Sequence, residues 1–158
     1  MSEDYIRILE ESLQKKVTLL ERIIVRNEQQ KQLFESDETT PEELDENVEA
    51  KGRMVDQIVE LDEGFEQVFS RVEQLLSDNR DAYRDEIGRL QELVRKVTEL
   101  AARVEAQEQR NYVLAGQFFS GKKKKAKNVR QGTMALDRYR QGMMGSNTFS
   151  PSIMDKRE

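Results

Sequence analysis

Proline occurs at only two positions, 41 and 151, so residues 42–150 contain none of the residue that removes a backbone donor and clashes with the preceding turn. Long helices are therefore permitted over most of the chain. Apolar residues fall at Ile6, Leu9, Leu13, Val17, Leu20, Ile23, Ile24 and Phe34, a spacing of three and four that builds one helical face and predicts a helix over about 3–35. SDETTP follows, where Thr40 is placed to cap a second helix, Pro41 to start it, and Glu43 to complete an S/T-x-x-E capping box. Leu44, Val48, Val55, Ile58, Leu61, Phe65, Val68, Phe69, Val72, Leu75 and Leu76 carry the spacing on to about residue 77.

Ser77, Asp78 and Asn79 offer N-cap side chains for a third helix over about 80–118, whose stripe is Tyr83, Ile87, Leu90, Leu93, Val94, Val97, Leu100, Ala101, Val104, Leu114 and Phe118. With neither Gly nor Pro at that junction, a single helix through both stripes is the alternative to a turn. Three helices of similar length joined by short connections predict an all-α, elongated, antiparallel three-helix bundle with coiled-coil-like packing over residues 1–119. Such packing needs only two or three apolar residues in seven. That suits a chain with 36% hydrophobic and 36% charged residues.

Beyond Phe119 the composition changes. Residues 120–158 form a basic, Met-rich segment, expected to be a flexible tail. It contains the run Lys122, Lys123, Lys124 and Lys125, and four of the six methionines: Met134, Met143, Met144 and Met154. Ala126, Val129, Leu136, Tyr139 and Met143 are spaced to form a short amphipathic helix against a partner, although Gly132 costs about 1 kcal/mol relative to alanine there. Charge divides the same way: residues 1–116 sum to −12 and residues 117–158 to +7. An acidic body and a basic tail point to different partners, or to a tail that meets an acidic surface.

With no Cys and no His, thiolate and imidazole chemistry, the usual hydrolase triads and Cys/His zinc sites are excluded. Acidic side chains on a bundle can hold two metal ions, but that chemistry adds a Glu-x-x-His pair. GQFFSGK at 116–122 imitates a phosphate loop, yet Lys123 stands where a Ser or Thr would bind magnesium, two phenylalanines fill the loop, and a helix precedes it. The expectation is a protein that is not an enzyme, with no cofactor and no small-molecule substrate. Nucleic acid is disfavoured by the acidic body and by the lack of aromatics among the lysines. The start MSEDYIR lacks a basic stretch followed by an apolar core, and no run of 18 apolar residues occurs, so a cytoplasmic protein without a transmembrane segment is expected.

Polar residues interrupt the stripes at Asn27, Lys51, Glu108 and Asn111. If the first turn centres near residue 39 and the second near 79.5, folding brings Asn27, Lys51 and Glu108 to one level. That predicts a buried polar layer which fixes register at a cost in stability.

LDEGFEQVFSRV at 61–72, QEQRN at 107–111, and the terminal pattern of Tyr139, Met143 and Met154-Asp155-Lys156-Arg157 resemble the flagellar export chaperones of the FlgN type, clostridial forms especially. The resemblance covers most of the chain. It implies a cytoplasmic, non-enzymatic chaperone that binds hook–filament junction proteins, blocks their premature assembly and delivers them to the flagellar type III export gate. By family analogy the client contacts are expected in the C-terminal region. The candidates are Leu136, Tyr139, Met143 and Met144, with Val113, Leu114, Phe118 and Phe119 as a docking end. Similarity to the chaperones of the filament cap keeps the client open, and a coiled-coil scaffold that self-associates is the competing reading.

Overall fold

The computed structural model describes the backbone of residues 2–124 and the side chains of residues 3–121. It is an all-α three-helix bundle: α1 (Ser2–Glu35), α2 (Pro41–Asp78) and α3 (Arg84–Lys124). At 1.5 Å per residue the 41-residue α3 is about 60 Å long. Among the described residues no helix is long and apolar enough to cross a membrane.

The sequence of α1 explains why it is the central element. Counting three and four residues alternately from Ile6 gives Leu9, Leu13, Lys16, Leu20, Ile23, Asn27, Gln30 and Phe34, and every one of these side chains is buried. This is a heptad repeat with its two inward positions occupied, the pattern that keeps one seam against neighbouring helices. The residues flanking the seam divide between the other two helices. On one side the Ser12 hydroxyl donates to the Leu61 carbonyl (3.4 Å) and Arg26 bridges Glu46 (3.2 Å), so this flank meets α2. On the other, Glu10 bridges Arg89 at 2.9 Å, so that flank meets α3. Partner numbers fall along α2 as they rise along α1, whereas Glu10 meets Arg89 and Phe34 meets Phe118. Hence α2 runs antiparallel to α1, and α3 runs parallel to it.

The turn after α1 forms as its residues dictate. The Thr39 hydroxyl donates to the Leu33 carbonyl at 2.6 Å and satisfies one of the orphan acceptors at the end of α1. Thr40 then makes the capping box, its hydroxyl accepting from the Glu43 amide (3.2 Å) while its own amide donates to the Glu43 carboxylate (3.1 Å). Pro41 takes the first helical position, where its missing N–H removes an orphan donor.

The second connection differs from expectation. The α2 and α3 stripes are separate helices, but Asn79 closes α2 instead of opening α3. Its amide and its side-chain Nδ2 both donate to the Leu75 carbonyl, at 3.1 and 2.9 Å. Residues 79–83 form the turn, and α3 begins at Arg84 rather than 80. Its acidic first turn, Asp85 and Glu86, complements the positive end of the helix dipole. At its other end α3 runs to Lys124 rather than 118, so the tail boundary at 120 falls inside a helix. Lysine is a good helix former and its cation suits a helix C-terminus, which offsets the cost of Gly121. The amphipathic segment expected around Leu136 to Met143 lies outside the described residues.

The apolar core is in two parts. The larger extends from Ile6 and Phe69 through Leu20, Ile58 and Val97 to Val104. The smaller, at the end carrying the first turn, joins Phe34, Leu44, Val48 and Ala115, with Leu33, Leu114, Phe118 and Phe119 half-buried against it. Leu20 is fully buried in the larger part, so Leu20→Ala is expected to cost about 2–5 kcal/mol in urea unfolding. Thr40→Ala, which removes only the cap, should cost about 1 kcal/mol in the same measurement.

Candidate functional site

The two apolar clusters are separated by a layer of buried polar side chains. Asn27 and Gln30 come from α1, Asn47 and Lys51 from α2, and Gln107, Glu108 and Asn111 from α3, each 5% exposed or less. Lys51 and Glu108 meet with Nζ 2.5 Å from Oε1, both side chains 4% exposed. The hairpin arithmetic that sets these two residues level therefore corresponds to a direct contact.

Amide side chains knit the rest of the layer. Asn27 Nδ2 donates to Gln107 Oε1 (3.1 Å), and Gln107 Nε2 donates to the Ile24 carbonyl (3.2 Å) and to Glu28 (3.1 Å). Gln30 Nε2 donates to Asn47 Oδ1 (3.0 Å), and Asn47 Nδ2 donates to the Arg26 carbonyl (3.0 Å). Asn111 Nδ2 donates to the Asn27 carbonyl (2.9 Å) and to Gln30 Oε1 (3.1 Å). At the rim, Arg110 bridges Glu28 (3.1 Å) and donates through Nε to Asn111 Oδ1 (3.1 Å). These bonds hold the Glu28 carboxyl below its usual range, the Gln107 bond contributing most and Arg110 next. Asn27 Oδ1 is buried with no hydrogen-bond partner among the described residues, a cost the surrounding bonds offset.

Sequence reasoning found Asn27, Lys51, Glu108 and Asn111 because they break apolar stripes. It missed Gln30, Asn47 and Gln107. The signal was available, because a strict heptad count along α1 lands on Gln30 and also on Lys16. Lys16 is buried and bridges Asp62 at 2.7 Å on the α2 side. Partial burial raises the Asp62 carboxyl, against the lowering effect of Lys16.

The second group of candidates lies beyond the small cluster. Phe118 and Phe119 pack on Phe34 with ring centroids 5.6 and 6.3 Å away, and Leu114 is half-buried beside them. These three side chains therefore form the closed end of the bundle. Val113 points outward, 58% exposed, next to Tyr112 at 38%. Lys122, Lys123 and Lys124 continue α3, while Lys125, Leu136, Tyr139, Met143 and Met144 lie outside the described residues.

The groups of the polar layer are buried and largely neutralised by one another. Desolvation lowers the Lys51 ammonium pKa, against the raising effect of Glu108. Because the folded value lies below 10.5, the unfolded chain holds the proton more tightly. The contribution of the pair to stability therefore rises with pH across the alkaline window between the lowered value and 10.5.

Removing one partner leaves the other charge buried and uncompensated. Lys51→Met is expected to cost about 3–5 kcal/mol, whereas Lys51→Met with Glu108→Leu should be close to neutral or stabilising by about 1–4 kcal/mol. Urea unfolding at pH 7 checks both. Repeated at rising alkaline pH, it should move the difference between wild type and the double variant in favour of wild type.

No family model matches the chain, and no curated protein or solved structure matches it either.

Proposed function

We propose that the protein is a cytoplasmic flagellar export chaperone of the FlgN type, which holds hook–filament junction proteins before their secretion. The observation that carries this reading is the placement of exposed apolar side chains on α3. Tyr112 and Val113 are two of the four large hydrophobics that stand exposed among the described residues. They occupy the helix that leads directly into the basic, Met-rich segment. One continuous stretch thus joins an outward apolar patch, a cationic run and the anchors Leu136, Tyr139 and Met143. A helical client is held in this way, by apolar anchors along one face.

The motifs behind the family resemblance bear chiefly on the scaffold. Gln107, Glu108 and Asn111 of QEQRN belong to the polar layer, Arg110 bonds to it from the rim, and in LDEGFEQVFSRV the rings of Phe65 and Phe69 stack at 5.8 Å. These motifs support a common bundle, and the client contact is argued from the α3 end and the segment beyond it. Phe118 and Phe119 support that end by packing on Phe34, and Leu114 by packing against the same small cluster.

Titration calorimetry with purified junction protein tests the proposal. Replacing Leu136, Tyr139 and Met143 together with alanine should weaken binding at least tenfold, since each ~1.4 kcal/mol is one decade, and leave thermal unfolding of the bundle unchanged. Neutralising Lys122 to Lys125 should act mainly on the salt dependence and association rate. Undiminished affinity in the triple variant would move the contact onto the bundle, and binding of the filament cap protein alone would change the client. Failure of wild type to bind either client would favour a scaffold.

A further inference from the structure

The heptad frame of α1 contains a second stripe, two residues on from the buried one: Ile8, Glu11, Lys15, Thr18, Arg22 and Val25. All six are exposed, and the spacing is again three and four. Ile8 (43%) and Val25 (57%) are the other two exposed large hydrophobics among the described residues. Glu11 and Arg22 hold no ion-pair partner within the chain among those residues. Along one side the stripe borders a groove of about 880 Å³ between α1 and α2, lined by Leu19, Leu61, Phe65 and Val68 as well as by Ile8.

The stripe is complementary to itself in one arrangement. A two-fold axis passing midway between Lys15 and Thr18 places Ile8 opposite Val25 of a second copy, Glu11 opposite Arg22, and Lys15 opposite Thr18, each twice. An isologous interface requires this reciprocity, every residue i meeting j while j meets i. The arrangement joins both apolar pairs and both opposite charges, and no like charges face one another. A parallel, in-register pairing would set Glu11, Lys15 and Arg22 each against its own copy. An antiparallel pairing shifted by one heptad would separate Ile8 from Val25.

We propose that the outer face of α1 is a homodimer interface, an antiparallel α1–α1 seam centred between Lys15 and Thr18. The seam covers about 26 Å of helix at 1.5 Å per residue. It stands apart from the C-terminal end argued above to hold a client, so dimerisation and client binding are separable, and this inference does not depend on the chaperone reading.

Sedimentation of the full chain over a concentration series tests it, with circular dichroism as a control for folding. Wild type should show a reversible monomer–dimer equilibrium. Glu11→Arg sets two cations together and Arg22→Glu two carboxylates, so each alone should weaken the dimer at least tenfold, about 1.4 kcal/mol. The Glu11→Arg and Arg22→Glu substitutions combined exchange the charges and should restore it. Ile8→Glu with Val25→Glu should abolish the dimer, with the helical circular-dichroism signal unchanged because both positions are exposed. Wild type that remains monomeric throughout overturns the proposal, as does a dimer indifferent to the single charge changes or not recovered by the pair. Monomeric wild type whose client affinity falls with the Ile8 and Val25 substitutions would assign the face to the client instead.

Discussion

The pairing of Lys51 with Glu108 determines how α2 and α3 relate, because these two helices approach each other less closely than either approaches α1. Helix α1 packs its seam against both neighbours, so an apolar core alone would fix each of them to α1 while leaving their axial offset weakly specified. A lysine and a glutamate that meet at 2.5 Å, both out of water, allow only one offset. Sliding by a helical turn would strand two charges in an apolar setting, a loss of several kcal/mol for each ion. The layer therefore specifies register more than it adds stability.

Around that pair the amides make the specification three-way. Asn111 from α3 holds both the Asn27 carbonyl and the Gln30 side chain of α1, and Gln30 in turn holds Asn47 of α2. Each amide side chain presents a donor and an acceptor, so a chain of them binds successive helices in a fixed order. The layer also isolates the small aromatic cluster at Phe34 from the long aliphatic core.

Much of this architecture was legible in residue spacing. The apolar stripes locate the three helices, Thr40, Pro41 and Glu43 mark the first turn, and Lys51 and Glu108 fall level once two hairpins are assumed. What escaped has identifiable causes. Gln30 and Gln107 are residues that helices also carry on solvated faces, so burial of a glutamine leaves no mark in composition. Asn79 was ambiguous for a different reason: asparagine serves at either end of a helix, and only the backbone geometry shows that it closes α2. The extension of α3 past Gly121 depended on the balance between one unfavourable residue and several good helix formers, a margin of about 1 kcal/mol that spacing does not resolve. In the candidate site, Phe118 and Phe119 read as a docking end because they are large and terminal. Phe34, 84 residues upstream of the first of them, supplies the partner that half-buries both.

The two outward apolar features follow from this same frame. A helix that packs against two neighbours uses its inward pair of heptad positions and both flanks, as α1 does, and leaves one narrow outer face without structural work. On most of such a face a polar residue keeps the helix soluble at no cost to packing. Ile8 and Val25 depart from that pattern on α1, and Tyr112 and Val113 depart from it on α3. Neither pair contributes to the buried clusters. Exposing such side chains costs solubility. The two sites differ in kind. The α1 pair is symmetric about charges that complement themselves, as a second copy of the same helix requires. The α3 pair lies beside an end that leads into a cationic segment, an asymmetric arrangement suited to a different chain.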